Sequence, residues 1–207
     1  FYMSKPGAYY NFDISNPTEP DDSITGTLVS NQLNTIKSML PMPSGLVTFS
    51  DRSAWQINGG GQQQAIDATN ASAQSQAYNG ASDVPPILAT FDILYVQAKG
   101  SIVRDLSYNL YANIYTGTDI SVLSSHLFYG YQITGWAFAE EPFKLVHAIR
   151  SDGVLLNLTF MKEQDLIAWT HSTTVGLFKS VTTITESVSF GYVDAVYIVV
   201  QRVINGN

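Results

Sequence analysis

The stretch His147-Ala-Ile-Arg-Ser-Asp-Gly-Val-Leu-Leu-Asn-Leu-Thr-Phe160 sets two runs of apolar and alternating residues on either side of Asp152-Gly153. Asp-Gly between such runs reads as a β-hairpin, because Gly adopts a positive φ without a Cβ clash; the pair predicts a type I′ turn. The same arrangement recurs in FDILYVQAKGSIV, turning at Lys99-Gly100, and in YIVVQRVINGN, turning at Asn205-Gly206. Gly100, Gly153 and Gly206 stand at equal intervals of 53 residues, and a fourth hairpin, SGLVTFSDRSAWQI, turns near Asp51-Arg52. After the turns, two apolar residues precede a polar one in Ala54-Trp55-Gln56, Ile102-Val103-Arg104 and Leu155-Leu156-Asn157.

A period near 50 residues is that of one four-stranded propeller blade. The 131–183 unit shows the parts: QITGWAFA as a first strand, KLVHAIR and VLLNLTF as the hairpin, and DLIAWTHS as a fourth. A lone hairpin is marginal in water, so such units come in series. The expectation is a mainly β chain of roughly four propeller-like blades over 1–207, truncated at both ends with unpaired edges there. A β-sandwich with evenly spaced hairpins is the alternative.

Two segments read as short helices on connections. SNQLNTIKSML, 30–40, spaces Leu33, Ile36, Met39 and Leu40 helically, and TDISVLSSHLF, 118–128, offers Asp119 as a cap before Val122, Leu123 and Leu127. Residues 60–83 are small, polar and without a period, which predicts a polar loop or insertion.

The composition is globular, with 45% hydrophobic residues. Its apolar runs, such as AVYIVV at 195–200, are far below the roughly 20 residues of a spanning helix, so no membrane segment is expected. The absence of cysteine excludes a disulfide scaffold, a thiolate nucleophile and Cys-ligated zinc. A net charge of −7, with Lys and Arg never clustered, argues against binding a phosphate backbone.

Catalytic patterns are missing. His126, His147 and His171 have no metal-ligand spacing, and each reads as a strand or helix residue. Asp21-Asp22 and Glu140-Glu141 are adjacent pairs whose members point to opposite faces of a strand, so neither pair can flank one scissile bond; both read as solvated turn charges. GGGQQQ, 59–64, lacks the lysine of a phosphate loop. The sequons at Asn70 and Asn157 carry little weight, the second lying in a predicted strand. Trp55, Trp136 and Trp169 read as packing residues in preference to a sugar platform. No catalytic residue, cofactor or metal site is assigned.

Several longer stretches, taken in order, resemble the tail-nozzle, tail tubular protein B-like and packaged-DNA stabilisation hub proteins of short-tailed phages. They are FYMSKPGAYYNFD, DDSITGTLVSNQLNTIKSMLPMPSGLVTFSDRSAWQING, VPPILATFDILYVQAKGSIVRDLSYNLYANIYTGTDISVLSSHLF and PFKLVHAIRSDGVLLNLTFMKEQDLIAWTHSTTVGLFKSV. The order of SSHLF, RSDGVLLNLTF and IAWTHSTT is the specific part. The resemblance implies a structural virion protein, not an enzyme, assembled in the host cytoplasm into a ring, typically a hexamer. That ring meets the portal, its adaptor and other tail proteins, and passes double-stranded DNA without reading its sequence. Members are longer than this chain, which agrees with a fragment. A carbohydrate-binding or depolymerising phage tail protein is the alternative.

Overall fold

The computed structural model describes residues 1–30, 33–60, 64–112, 114–189 and 191–204. Strands β1 (Tyr2–Met3) and β2 (Ile24–Thr25) pair near the start. Three antiparallel sheets of four strands follow, each joined in simple chain order. The first holds β3 (Ile36–Met42), β4 (Gly45–Ser50), β5 (Ala54–Asn58) and β6 (Ser72–Ala77); the second holds β7 (Ile87–Ala89), β8 (Asp92–Val96), β9 (Val103–Asn109) and β10 (Ile114–Asp119). The third holds β11 (Ile133–Ala139), β12 (Leu145–Arg150), β13 (Leu155–Met161) and β14 (Leu166–Ser172), matching the four strands expected within 131–183. A long hairpin of β15 (Leu177–Val188) and β16 (Gly191–Gln201) comes last. The protein is mainly β, and the chain divides into two compact units, Phe1–Asp83 and Val84–Asn207.

In the first unit, β4 and β5 form the core, with Val47, Phe49, Ala54 and Ile57 fully buried. In the second, Leu94, Val96 and Val103 of one sheet pack with Val146, Ala148, Leu156, Leu158 and Trp169 of the next. Trp169 sets its ring edge-on to Phe128, centroids 4.9 Å apart, and donates its indole N–H to the Ile120 carbonyl at 2.9 Å. A smaller cluster joins Ile149 and Leu155 to Phe178, Val181, Ile198 and Val200 of the last hairpin.

The turns at Gly100 and Gly153 share a device. The Gly100 N–H bonds the Gln97 carbonyl at 2.7 Å, and the Gly153 N–H bonds the Arg150 carbonyl at 2.8 Å. Each glycine is left-handed, φ 81° and 82°, whereas Lys99 and Asp152 are not. The type I′ expectation is therefore corrected: these loops are longer than two residues, so the glycine alone takes the left-handed position at the end of an ordinary turn. The Asn205-Gly206 turn lies outside the described residues.

Each glycine carbonyl then accepts an N–H from the start of a later strand: Ile133 of β11 on Gly100 at 2.8 Å, and Phe178 of β15 on Gly153 at 3.0 Å. The first unit has the same joint without glycine. There Ser50 and Ser53 close the β4–β5 turn through hydroxyl and backbone bonds, and the Ser50 carbonyl accepts the Ala81 N–H at 2.8 Å. A bulge marks the opening of β3, β11 and β15 alike, just after Ile36, Ile133 and Phe178.

Three expectations change. Described residues of 30–40 form no helix: Leu33 is exposed, and from Ile36 onward burial alternates with the two-residue period of β3. The helical spacing of Ile36, Met39 and Leu40 lost to pairing with β4, which gives the inward-facing backbone groups of Ile36–Met42 cross-strand partners. Residues 72–77 are not loop but β6, whose small polar side chains gave no pattern and whose main chain extends the sheet from β5. The 118–128 segment starts as the end of β10 and continues as two short 3-10 turns within Val122–Leu127, broken at Ser124; the expected Asp119 cap is corrected, because Ser121 stands at the N-cap without a side-chain cap bond, and Asp119 instead accepts the N–H and hydroxyl of Ser121 at 2.8 and 2.7 Å.

A Cβ at residue 153 would lie 2.7 Å from Leu177 Cβ, whereas one at residue 100 would meet only the flexible Gln132 side chain at 3.0 Å. Gly100→Ala should cost about 1–2 kcal/mol through its positive φ alone. Gly153→Ala should cost about 1–3 kcal/mol more through overpacking, a ranking that urea unfolding of the two variants checks.

Candidate functional site

The residue types that carry chemistry are used to tie the fold together. Asp22 is 1% exposed, which corrects its reading as a solvated turn charge; only Asp21 of that pair is exposed. The Asp22 carboxylate takes the Lys5 ammonium at 2.8 Å and accepts the backbone N–H of Glu19 and of Ser15 and the Ser15 hydroxyl. The Lys5 bond, then the Glu19 N–H, hold its carboxyl well below the usual carboxylate range. A short polar segment with little apolar content is thereby wound around one carboxylate.

Asp105, 3% exposed on β9, is met by Lys162 from the β13–β14 connection at 3.0 Å; Lys162 also reaches Asp92 at 3.0 Å, and the Thr118 N–H completes Asp105. Desolvation opposes the Lys162 charge most, yet its hydrogen bonds to Asp105 and Asp92 raise its pKa overall. Arg150 grips Asp152 with two bonds of 2.7 and 2.6 Å, donates to the Leu127 carbonyl, and stacks 3.9 Å from the Tyr131 ring centroid. Asp152, a turn residue that could pass for an acid, is held ionised by Arg150 and lies below the usual carboxylate range.

The three histidines do not converge. His126 and His171 are exposed, His126 on the 3-10 segment and His171 on β14. His147, half-buried on β12, shares a 2.8 Å bond between Nδ1 and the Asn157 Oδ1, while the Asn157 amide N–H donates to Ser172 Oγ. His147 Nε2 is enclosed and has no hydrogen-bond partner. Glu140 and Glu141 are exposed as expected, and Asp194 of β16 accepts both of their backbone N–H groups. No grouping of three potential metal ligands occurs among the described residues.

The tryptophans pack. Besides Trp169, Trp136 donates to the Pro85 carbonyl at 2.6 Å, and Trp55, 6% exposed, donates to Ser53 Oγ at 2.6 Å. A cleft of about 430 Å³ in the first unit is lined by Asn34, Arg52, Ser53, Trp55, Ser75 and Tyr78, among others. Asn34 Oδ1 and Ser75 Oγ are enclosed there without partners, and Tyr78 is 88% exposed. A smaller cleft of about 270 Å³ beside Thr90 and Phe91 holds Lys144 and Lys162, both already paired with carboxylates. The Asn70 side chain is engaged in its own turn, and Asn157 lies within β13.

Neither Asp22 nor Asp105 was legible as a buried charge, because each partner lies far along the chain or in a segment without periodicity. The Arg150–Asp152 grip was readable in principle, as oppositely charged residues two apart flanking a turn. No protein-family model matches the chain, and a search of characterised proteins finds no match.

Two outcomes are expected. Lys162→Met leaves Asp105 with the Thr118 N–H alone and should cost about 1–3 kcal/mol in urea unfolding, less than a fully buried pair because Lys162 is partly solvated. Asp22 is depressed in the folded state, so its contribution is present above about pH 4, the unfolded value, and is lost as pH falls further. Proteolysis of the Phe1–Thr25 segment should therefore quicken with acidification, and Asp22→Asn should be fast and independent of pH.

Proposed function

We propose that the chain is a structural virion subunit built of propeller-type blades, part of the tail nozzle or hub through which a short-tailed phage retains and passes its genome. The observation that carries this reading is the repeated joint: within each unit a four-stranded meander is fixed through a turn carbonyl to the segment that follows it, an arrangement of main-chain bonds that calls on no reactive side chain. Supporting it, the buried carboxylates of Asp22 and Asp105 and the turn carboxylate of Asp152 are engaged in ion pairs and backbone bonds. A chain of net charge −7 with 10 Lys and Arg suits a wall that DNA must slide past without gaining affinity. The ring, the portal and adaptor contacts and the virion location come from the sequence resemblance.

Mixing the protein with portal–adaptor rings of a short-tailed phage, followed by size exclusion with light scattering and negative-stain imaging, tests the reading. Co-elution as a ring-bearing complex is expected, with no DNA retardation at physiological salt. A monomer that never joins the rings at any concentration sinks it.

The Asn34–Ser75–Tyr78 cleft favours a second reading, a polar glycan-sized ligand, although Trp55 is too enclosed to serve as a stacking platform. A glycan array reads this directly: saturable binding lost in Tyr78→Ala supports it, and a blank array removes it.

A further inference from the structure

The cleft of about 430 Å³ in the first unit gathers side-chain groups whose bonding the fold leaves open. On the sheet side it is lined by Trp55 of β5 and Ser75 of β6, directly opposed across the strands, so both side chains stand on one face. Ser53 Oγ accepts the Trp55 indole N–H at 2.6 Å and an amide N–H of Asn34 at 3.4 Å; Asn34 Nδ2 also donates to Ser30 Oγ at 2.6 Å. With its donor end so engaged, Asn34 leaves Oδ1 enclosed with no partner, and Ser75 Oγ is enclosed and without a partner as well. Such atoms are few in native proteins, and each calls for an explanation.

Arg52, on the β4–β5 turn, lines the same cleft and is a second, independent observation. It is exposed, and among the described residues no carboxylate pairs with it, whereas Lys5, Lys37, Lys144, Arg150 and Lys162 each hold one. Its neighbour Asp51 turns Oδ1 to the Thr35 N–H at 2.9 Å. On a chain of net charge −7, this guanidinium is a local point of attraction for an anion. Exposed Tyr78, also lining the cleft, adds a rigid ring that is apolar on its faces and polar at its tip.

These groups select a ligand by chemistry. Asn34 Oδ1 only accepts, so the ligand must bring a donor, and neighbouring hydroxyls of a sugar ring supply donors and acceptors together for Asn34 and Ser75. The planar fork of Arg52 matches a carboxylate through two parallel bonds. One guanidinium balances one charge, which suits a carboxylate better than a phosphate monoester of about −1.5 to −2. An extended peptide would be held by main-chain groups along a sheet edge, whereas the open groups here belong to side chains.

We infer that this cleft binds an acidic saccharide, with ring hydroxyls on Asn34 Oδ1 and Ser75 Oγ, a carboxylate on the Arg52 guanidinium and Tyr78 against the ring. The inference rests on the glycan reading of the cleft and narrows it to sugars that carry a carboxylate.

The 207-residue protein is titrated calorimetrically with trigalacturonate and with sialyllactose, each beside its methyl ester, which keeps the hydroxyls and removes the charge. At least one acid should bind about tenfold or more tightly than its ester, by a margin that shrinks as salt is raised. Arg52→Gln, at an exposed position, should bring that acid down to its ester and leave both the ester and the urea midpoint unmoved. Acid and ester binding equally, or an Arg52→Gln variant that keeps the full preference, overturns the inference and leaves the glycan reading standing. Tetraglutamate binding as tightly as the acids, with the same loss in Arg52→Gln, assigns the cleft to an acidic peptide and overturns it too. No binding of any of the four saccharides at millimolar concentration removes the glycan reading with it.

Discussion

The backbone carbonyl at the turn between the second and third strands of each sheet is the bond on which the rest of the structure depends. Three times it accepts an N–H from the segment that follows the sheet: Ala81 on Ser50, Ile133 on Gly100, Phe178 on Gly153. An antiparallel meander satisfies its backbone internally but leaves its turns to water, and a turn held only by solvent does not fix where the next element begins. Joining that turn to the next segment spends a peptide group that would otherwise be solvated, and it brings apolar faces together. Val96 and Val103 are then positioned to meet Ile133 and its sheet, and Ile149 and Leu155 to meet Phe178. Glycine is needed at 100 and 153 because the chain turns left-handed there and because Gln132 and Leu177 lie directly above.

Charge is used sparingly and inward. With 27 acidic and basic residues in 207, the protein places several carboxylates where an uncompensated one would be costly, and each has a cation or backbone donors. Asp105 illustrates the balance. Alone it would disfavour the sheet contact, and with Lys162 and the Thr118 N–H it ties one sheet to the connection of the next. Such pairs add less to net stability than the apolar burial around them, but a displaced sheet would leave the carboxylate bare, so they favour one register over its neighbours.

What could be read from the sequence follows from how locally each feature is encoded. The 131–183 sheet was legible strand by strand because its apolar residues alternate and its turn carries Asp-Gly. β6 was hidden since Ser-Ala-Gln-Ser-Gln-Ala has no hydrophobic signal; its pairing with β5 is a main-chain property. β3 was mistaken for a helix because four apolar residues fell at spacings that both periods allow, and only the partner strand decides between them. Asp22 and Asp105 were missed for a related reason: a carboxylate's burial depends on donors brought from elsewhere in the chain, which no local pattern records.

A protein organised this way concentrates its unmet bonding capacity at edges more than in pockets. The enclosed polar atoms of the clefts are few, whereas alternate backbone groups along β16 face away from β15 beside exposed Tyr197 and Val199, the Asp194 N–H among them being taken by the Glu141 carbonyl. Such an edge is a liability for a solitary subunit, prone to indiscriminate pairing, unless a dedicated strand covers it. The Phe178 bulge and the Gly153 joint set the register of β15–β16 on the sheet below, so only a strand with matching alternation can extend the hairpin while keeping its apolar side inward. The place of β15–β16 on the third sheet is therefore set by the same kind of turn carbonyl that joins the third sheet to the second.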